Sequence, residues 1–262
     1  MQVPAVRNFL LFLLVLIGST SLFSQAPGSD PQALAFASQS IAALTGGNAI
    51  GDVTLTGNVA WSGWGPPANG TATLLALGTG ESRMDFALPN GTRSEIRDAS
   101  TGVAQGEWIA PSGKSGLFAS QNCATDAVWF FPVLGSLAAG PNVVLTYVGQ
   151  ETRNGAAVQH IQSYIYQPNP AGLVPSPQQL STMDFYLDAT TLLPVATVFN
   201  AHPDNSSASL LIEVDFFNYQ VFNGVVVPTH IERSLQGNVL VDITISGASF
   251  NTGLPLSDFA IN

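Results

Sequence analysis

Cations are what this chain has least of. Seven lysines and arginines stand against 17 acidic residues, Lys114 is the sole lysine, and the formal net charge is −10 over 262 residues. A surface so acidic repels phosphate backbones and anionic bilayers, which excludes nucleic-acid binding and adhesion to anionic membranes. Charge of either sign is scarce, at 9% of residues against about 25% in ordinary globular domains. Cysteine is scarcer still: Cys123 alone rules out an internal disulfide, so stability must come from a buried core. The sequence holds no G-x-S-x-G elbow, H-E-x-x-H helix or C-x-x-C pair. "SGKSG" imitates the tail of a phosphate-binding loop, but the first glycine of that motif would fall on Trp108, so the match fails.

What is present begins with Arg7, an apolar run from Phe9 to Ile17 and the small residues "GSTSLFSQA". That order reads as a secretory signal over 1–26, too short to span a bilayer, which directs residues 27–262 to the periplasm or outside the cell. These residues are expected to form a single domain. "SDPQALAFASQSIAALTGG" has the marks of a helix: Ser29 or Asp30 as N-cap, Pro31 in the first turn, Gly46 past the end. Its apolar stripe is Leu34, Ala37, Ile41 and Leu44.

After Gly46 the pattern changes to period two. Val53, Leu55, Val59 and Trp61 alternate with smaller or polar residues, and strands are expected near 71–77, 82–88 and 92–97. "TDAVWFFPVLGSLAAG" returns to helical spacing through Trp129, Phe130, Val133, Leu134 and Leu137, giving a second helical piece. Strand pattern resumes at "NVVLTYVGQ" and "AAVQHIQSYIYQ", joined at "RNG". A Pro-rich loop near 167–181 then leads to "MDFYLD" and "VATVFNAH".

The stretch "FNYQVFNGVVVPTHIERSLQGNVLVDITISG" can be paired by parity, because opposite residues of an antiparallel ladder share a face. Asn223-Gly224 signals a two-residue type I′ turn that sets Phe222 against Val225 and Phe216 against Ile231. A three-residue loop, Gln236 to Asn238, would set Ile231 against Ile243 and Thr229 against Ile245, with Asn238 left-handed. One face is then dry, with Ile212, Val214, Phe216, Phe222, Val225, Val227 and Ile231. The other gathers Asp215, Glu232 and Asp242, with His230 beside Glu232. A calcium ion would accept such oxygens, but a solvated cluster on an acidic protein needs none, so neither metal nor cofactor is assigned. Cys123 reads as a small buried thiol, and no partner histidine can be assigned to it; no catalytic residue is named.

"FYLDATTLLPV", then "VDFFNYQVFNGVVVPTHIERSLQGNVLVDITISGASFN", closing on "LPLSDFAI", resembles the C-terminal half of the LolA/LolB-like superfamily of periplasmic lipoprotein carriers. The likeness lies in Asp188 and Pro194 around a turn, Gly224 and Pro228 of "GVVVP", and Asn251 before Phe259. It implies a mainly β fold: a curved antiparallel sheet forming an incomplete barrel, two helical segments over its concave face, and a greasy ligand between them. The expected function is non-enzymatic binding of an apolar small molecule, acyl chain or lipidated protein. Trp129, Phe130 and Leu134 would act as lid, and Phe216, Val227, Ile231 and Ile243 as floor. The competing expectation is an envelope interaction module whose hollow is filled by its own side chains.

Overall fold

The computed structural model describes residues 27–63, 65–78, 80–100, 105–118, 142–168, 172 and 174–261. Helix α1, Pro31–Thr45, starts where Asp30 accepts the Gln32 N–H and stops at left-handed Gly46. Thirteen strands follow in one antiparallel sheet. The first six are β1 (Asp52–Trp61), β2 (Ala68–Leu77), β3 (Ser82–Leu88), β4 (Gly91–Asp98), β5 (Gln105–Ile109) and β6 (Ser115–Leu117). The rest are β7 (Val143–Arg153), β8 (Ala156–Ile165), β9 (Met183–Asp188), β10 (Pro194–Ala201), β11 (Leu210–Phe222), β12 (Val225–Leu235) and β13 (Asn238–Phe250). A short helix, α2 (Pro177–Ser181), closed by a Ser176–Gln179 capping box, ends what the sequence reads as the Pro-rich loop. The second helical piece expected around Trp129 lies outside the described residues.

The strand order, β6-β5-β4-β3-β2-β1-β13-β12-β11-β10-β9-β8-β7, makes two meanders that meet where β1 pairs with β13. The sheet is strongly curled and does not close. Glu95 of β4 and Arg233 of β12 lie five strand spacings apart, about 24 Å on a flat sheet, yet their side chains meet at 3.3 Å, while helix α1 crosses the C-terminal meander from β7 to β12. On the concave side Ala33, Ala37 and Leu44 of α1 join Leu55, Leu74, Phe86, Phe185, Val227 and Ile243 in one core. The fully buried stripe runs Ala33, Ala37, Ser40, Leu44, with Leu34 and Ile41 at its margin, a slight rotation from the expected one. The edge strand β7 is capped by the chain just before α1: the Asp30 N–H donates to Leu145 O, and the Ser29 hydroxyl accepts from the Leu145 N–H. Such cover removes part of an open edge from solvent. The C-terminal turn Leu256–Phe259 packs on β3 and β4, with Phe259 fully buried and Asp258 O accepting from Arg83.

The β11–β12 hairpin has the expected form: Asn223 and Gly224 both take positive φ, and Phe216 faces Ile231. The next hairpin reaches the expected Ile231–Ile243 pairing by another device. Its turn is the two residues Gln236 and Gly237, both left-handed, and not a three-residue loop with a left-handed Asn238. A bulge then restores parity: Ser234 faces Val239 while Arg233 faces Val241, leaving Leu240 as the extra residue. The tight turn satisfies strand twist, and the bulge keeps the apolar face inward.

Candidate functional site

Strand β4 departs from the apolar rule of the concave face. Its turn from β3, Pro89-Asn90, pairs Leu88 with Gly91, so Arg93 falls opposite Phe86, Glu95 opposite Met84 and Arg97 opposite Ser82. Arg93, Glu95 and Arg97 therefore point inward. Arg93 and Glu95 are each only 8% exposed, a burial that charged side chains rarely reach unless paired. An Arg93 guanidinium nitrogen donates to Glu95 Oε1 at 2.8 Å, and the same guanidinium lies 4.6 Å over the ring of Trp61. Arg233 of β12 reaches the other oxygen, Glu95 Oε2, at 3.3 Å. Four strands separate β4 from β12 in the sheet, so this ion pair spans the interior of the curl. Burial by itself raises the Glu95 pKa, but Arg233 and Arg93 outweigh it and hold the carboxyl below its ordinary value.

Around this triad lies a cavity of about 440 Å³. Its apolar wall includes Trp61, Trp108, Leu117, Ile212, Leu235 and the bulge residue Leu240; Asp204 stands exposed at its rim. A smaller hollow of about 240 Å³ shares Trp61, Arg93 and Trp108 with it. The volume falls within the roughly 300–1,000 Å³ usual for small-ligand sites, and the pattern of apolar wall with a few convergent polar groups is theirs too.

The sequence-expected floor residues Phe216, Val227, Ile231 and Ile243 all lie on the concave side, buried in the common core, and none of them borders this cavity. Trp129, Phe130 and Leu134 lie outside the described residues, as does Cys123. Arg93, Glu95 and Arg233 escaped sequence reasoning. The signal for the first two was there: "GTRSEIRD" places charges at every second position, directly after a turn whose register can be counted back to Phe86 and Met84.

On the convex face Asp215, Glu232 and Asp242 stand side by side as parity requires. His230 Nε2 lies 3.1 Å from Asp242 Oδ1 and 3.4 Å from Glu232 Oε1, its ring stacked on Phe217 at 5.1 Å. These three residues offer ligand atoms within 4.8 Å of one another, but all are partly exposed, and His–carboxylate pairing accounts for their arrangement. Asp215 turns instead to Arg153, 3.6 Å away, which also bonds Glu213. Burial, then the neighbouring Glu213, push the Asp215 carboxyl up to about 6, against the pull of Arg153. His160 belongs to a separate group with Asp184 and Glu151.

Among solved structures, an outer membrane lipoprotein-sorting protein domain, so described, from Vibrio parahaemolyticus superposes with a TM-score of 0.57 at 16% identity, over 86% of this chain and 95% of that one. A LolA superfamily protein from Nitrosomonas europaea gives 0.53 at 10% identity, over 87% and 97%. This chain shares the LolA-like fold. A DUF1329 family protein from Desulfovibrio piger also superposes, at 0.53 and 11% identity over 89% and 98%. No family model and no curated protein matches the sequence. In this LolA-like curl, the Arg–Glu–Arg triad and the cavity beside it are formed by residues far apart in the chain. Among the described residues no helix is long and apolar enough to cross a membrane.

Proposed function

We propose that the protein is a non-enzymatic binder of an apolar ligand, an acyl chain or a lipidated partner, working in the periplasm or outside the cell. The observation that carries this reading is the cavity of about 440 Å³ on the concave side of an unclosed sheet, with a wall of tryptophan and leucine. The LolA-like fold supports it, as does the basic-then-apolar pattern of residues 1–26 for the compartment. At about 0.8 kcal/mol per buried methylene, a half-buried chain of roughly fourteen carbons contributes on the order of 5 kcal/mol before ordering costs. That is enough for useful affinity without any covalent step. The packing of Phe216, Val227, Ile231 and Ile243 into the core favours the second reading, an interaction module with a filled interior, so the cavity is what decides between the two.

Titration with a fluorescent fatty acid separates the two. Saturable binding in the micromolar range is expected, accompanied by a change in indole emission from Trp61 and Trp108. Leu240→Asp, at a half-buried position on the cavity wall, should weaken it about tenfold or more while far-UV circular dichroism stays unchanged. Absence of saturable binding, or unchanged affinity in the variant, would return the protein to the second reading.

A further inference from the structure

The buried part of the cavity wall holds two guanidiniums and one carboxylate. Arg93 and Arg233 flank one carboxylate, Glu95, and both guanidiniums border the same space. The other acid, Asp204, is held at the exposed rim. Arg93 is nine-tenths buried, and its contacts among the described residues are Glu95 and the face of Trp61; its Nε–H has no acceptor. A guanidinium presents five donors in a planar fork, so one carboxylate oxygen leaves much of that capacity unused. Stacking on Trp61 fixes its plane, which lowers the ordering needed to receive a second oxyanion.

We infer that the cavity selects amphiphiles carrying an oxyanion head, carboxylate or phosphate, seated against Arg93 and Arg233, with the chain along Ile212, Leu235 and Leu240. The inference rests on the binding function proposed above and adds the ligand's chemical class. In a water-poor cavity an oxyanion pairs with an arginine through charge-assisted, often bidentate hydrogen bonds, while a neutral hydroxyl head leaves the guanidinium as it was. A cationic head would oppose both arginines. The overall charge of −10 argues against anion capture by the general surface, so any preference for an anionic head must be local to this wall.

The test is competition for a bound fluorescent fatty acid by four amphiphiles of one chain length: tetradecanoate, tetradecyl phosphate, tetradecanol and tetradecyltrimethylammonium. At least one oxyanion should compete at about tenfold lower concentration than tetradecanol, the better of the two naming the head, and the ammonium should compete worst. Arg93→Gln should erase the preference and leave tetradecanol unchanged, while Arg93→Lys should retain part of it. Glu95→Gln, which removes a competing carboxylate from beside Arg93 and Arg233, should strengthen the preference several-fold and increase the thermal shift given by the oxyanion. A structural role for the triad would not produce that gain, and the Glu95 variant remains informative if Arg93→Gln does not fold. Equal competition by tetradecanol and both oxyanions, or a preference that survives Arg93→Gln and is unmoved by Glu95→Gln, overturns the head-group inference while leaving apolar binding intact. Failure of every amphiphile to bind overturns both.

Discussion

Two carboxylates on opposite faces of the sheet, Glu95 buried and Asp215 half-buried, are held in opposite senses by their neighbours. Glu95 is kept ionised by the arginines that bracket it, whereas Asp215, half-buried beside Glu213 and opposite Glu232, is raised to about 6. A carboxyl whose folded pKa lies above its unfolded value favours the native state only while protonated. For Asp215 that contribution is complete below about pH 4 and is lost as pH rises through about 6. Asp215→Asn should therefore raise stability by up to about 2 kcal/mol at pH 7.5, with the gain vanishing near pH 4. Arg153 keeps Glu213 as a partner in the variant, which limits the loss on that side. Urea midpoints of both proteins at the two pH values measure the effect, and a variant no more stable than the parent at pH 7.5 would show that Arg153 fully compensates the carboxylate.

At the scale of elements, the legible parts of the fold were those governed by local parity. Asn223-Gly224 announces its turn, the alternation of Phe216, Val214 and Ile212 announces the inner face, and Asp188 before Pro194 announces the β9–β10 turn, where its carboxylate accepts from the Thr190 and Thr191 N–H groups. Bulges were not legible, because an extra residue leaves composition unchanged and is chosen only when two registers must be reconciled. The Leu240 bulge is one case: parity demanded an odd offset, and a longer turn would have served as well on paper. Strands β5 and β6 were also missed, being short and broken by glycines. A second irregularity lies between β1 and β13, where Thr56 pairs with Gly247 but Gly57 with Ile245. A Cβ at Gly57 would sit 2.0 Å from Thr244 O, backbone that cannot step aside without breaking the seam. Gly57→Ala should cost roughly 2–4 kcal/mol, read as a lower urea midpoint with the slope unchanged. A loss under about 0.5 kcal/mol would mean that the seam has room to shift.

The cavity belongs to the whole molecule, which is why no window of sequence revealed it: Glu95 and Arg233 meet only because the sheet carries β4 and β12 round to face each other. The same geometry bears on how the fold comes apart. The two meanders share one ladder, β1 with β13, yet α1, at the N-terminal end, lies against β12 and β7 of the C-terminal meander. Without it the apolar residues of β12 lose their cover; without the C-terminal meander, α1 has no strand to bury Ala33, Ala37 and Leu44 against. Neither half thus holds a complete core, and the interior ion pair adds a tie that breaks only when the curl opens. Equilibrium unfolding in urea should accordingly be a single transition, with coincident midpoints for indole fluorescence, to which Trp61 and Trp108 of the N-terminal meander contribute, and for far-UV circular dichroism, which reports all thirteen strands. Separate midpoints, with the indole signal lost first, would mean that the β1–β13 seam is a boundary between independently stable halves and that α1 adds little to the C-terminal one. Because its walls come from both meanders, the cavity would then vanish at the first midpoint, and bound amphiphile would raise that midpoint alone.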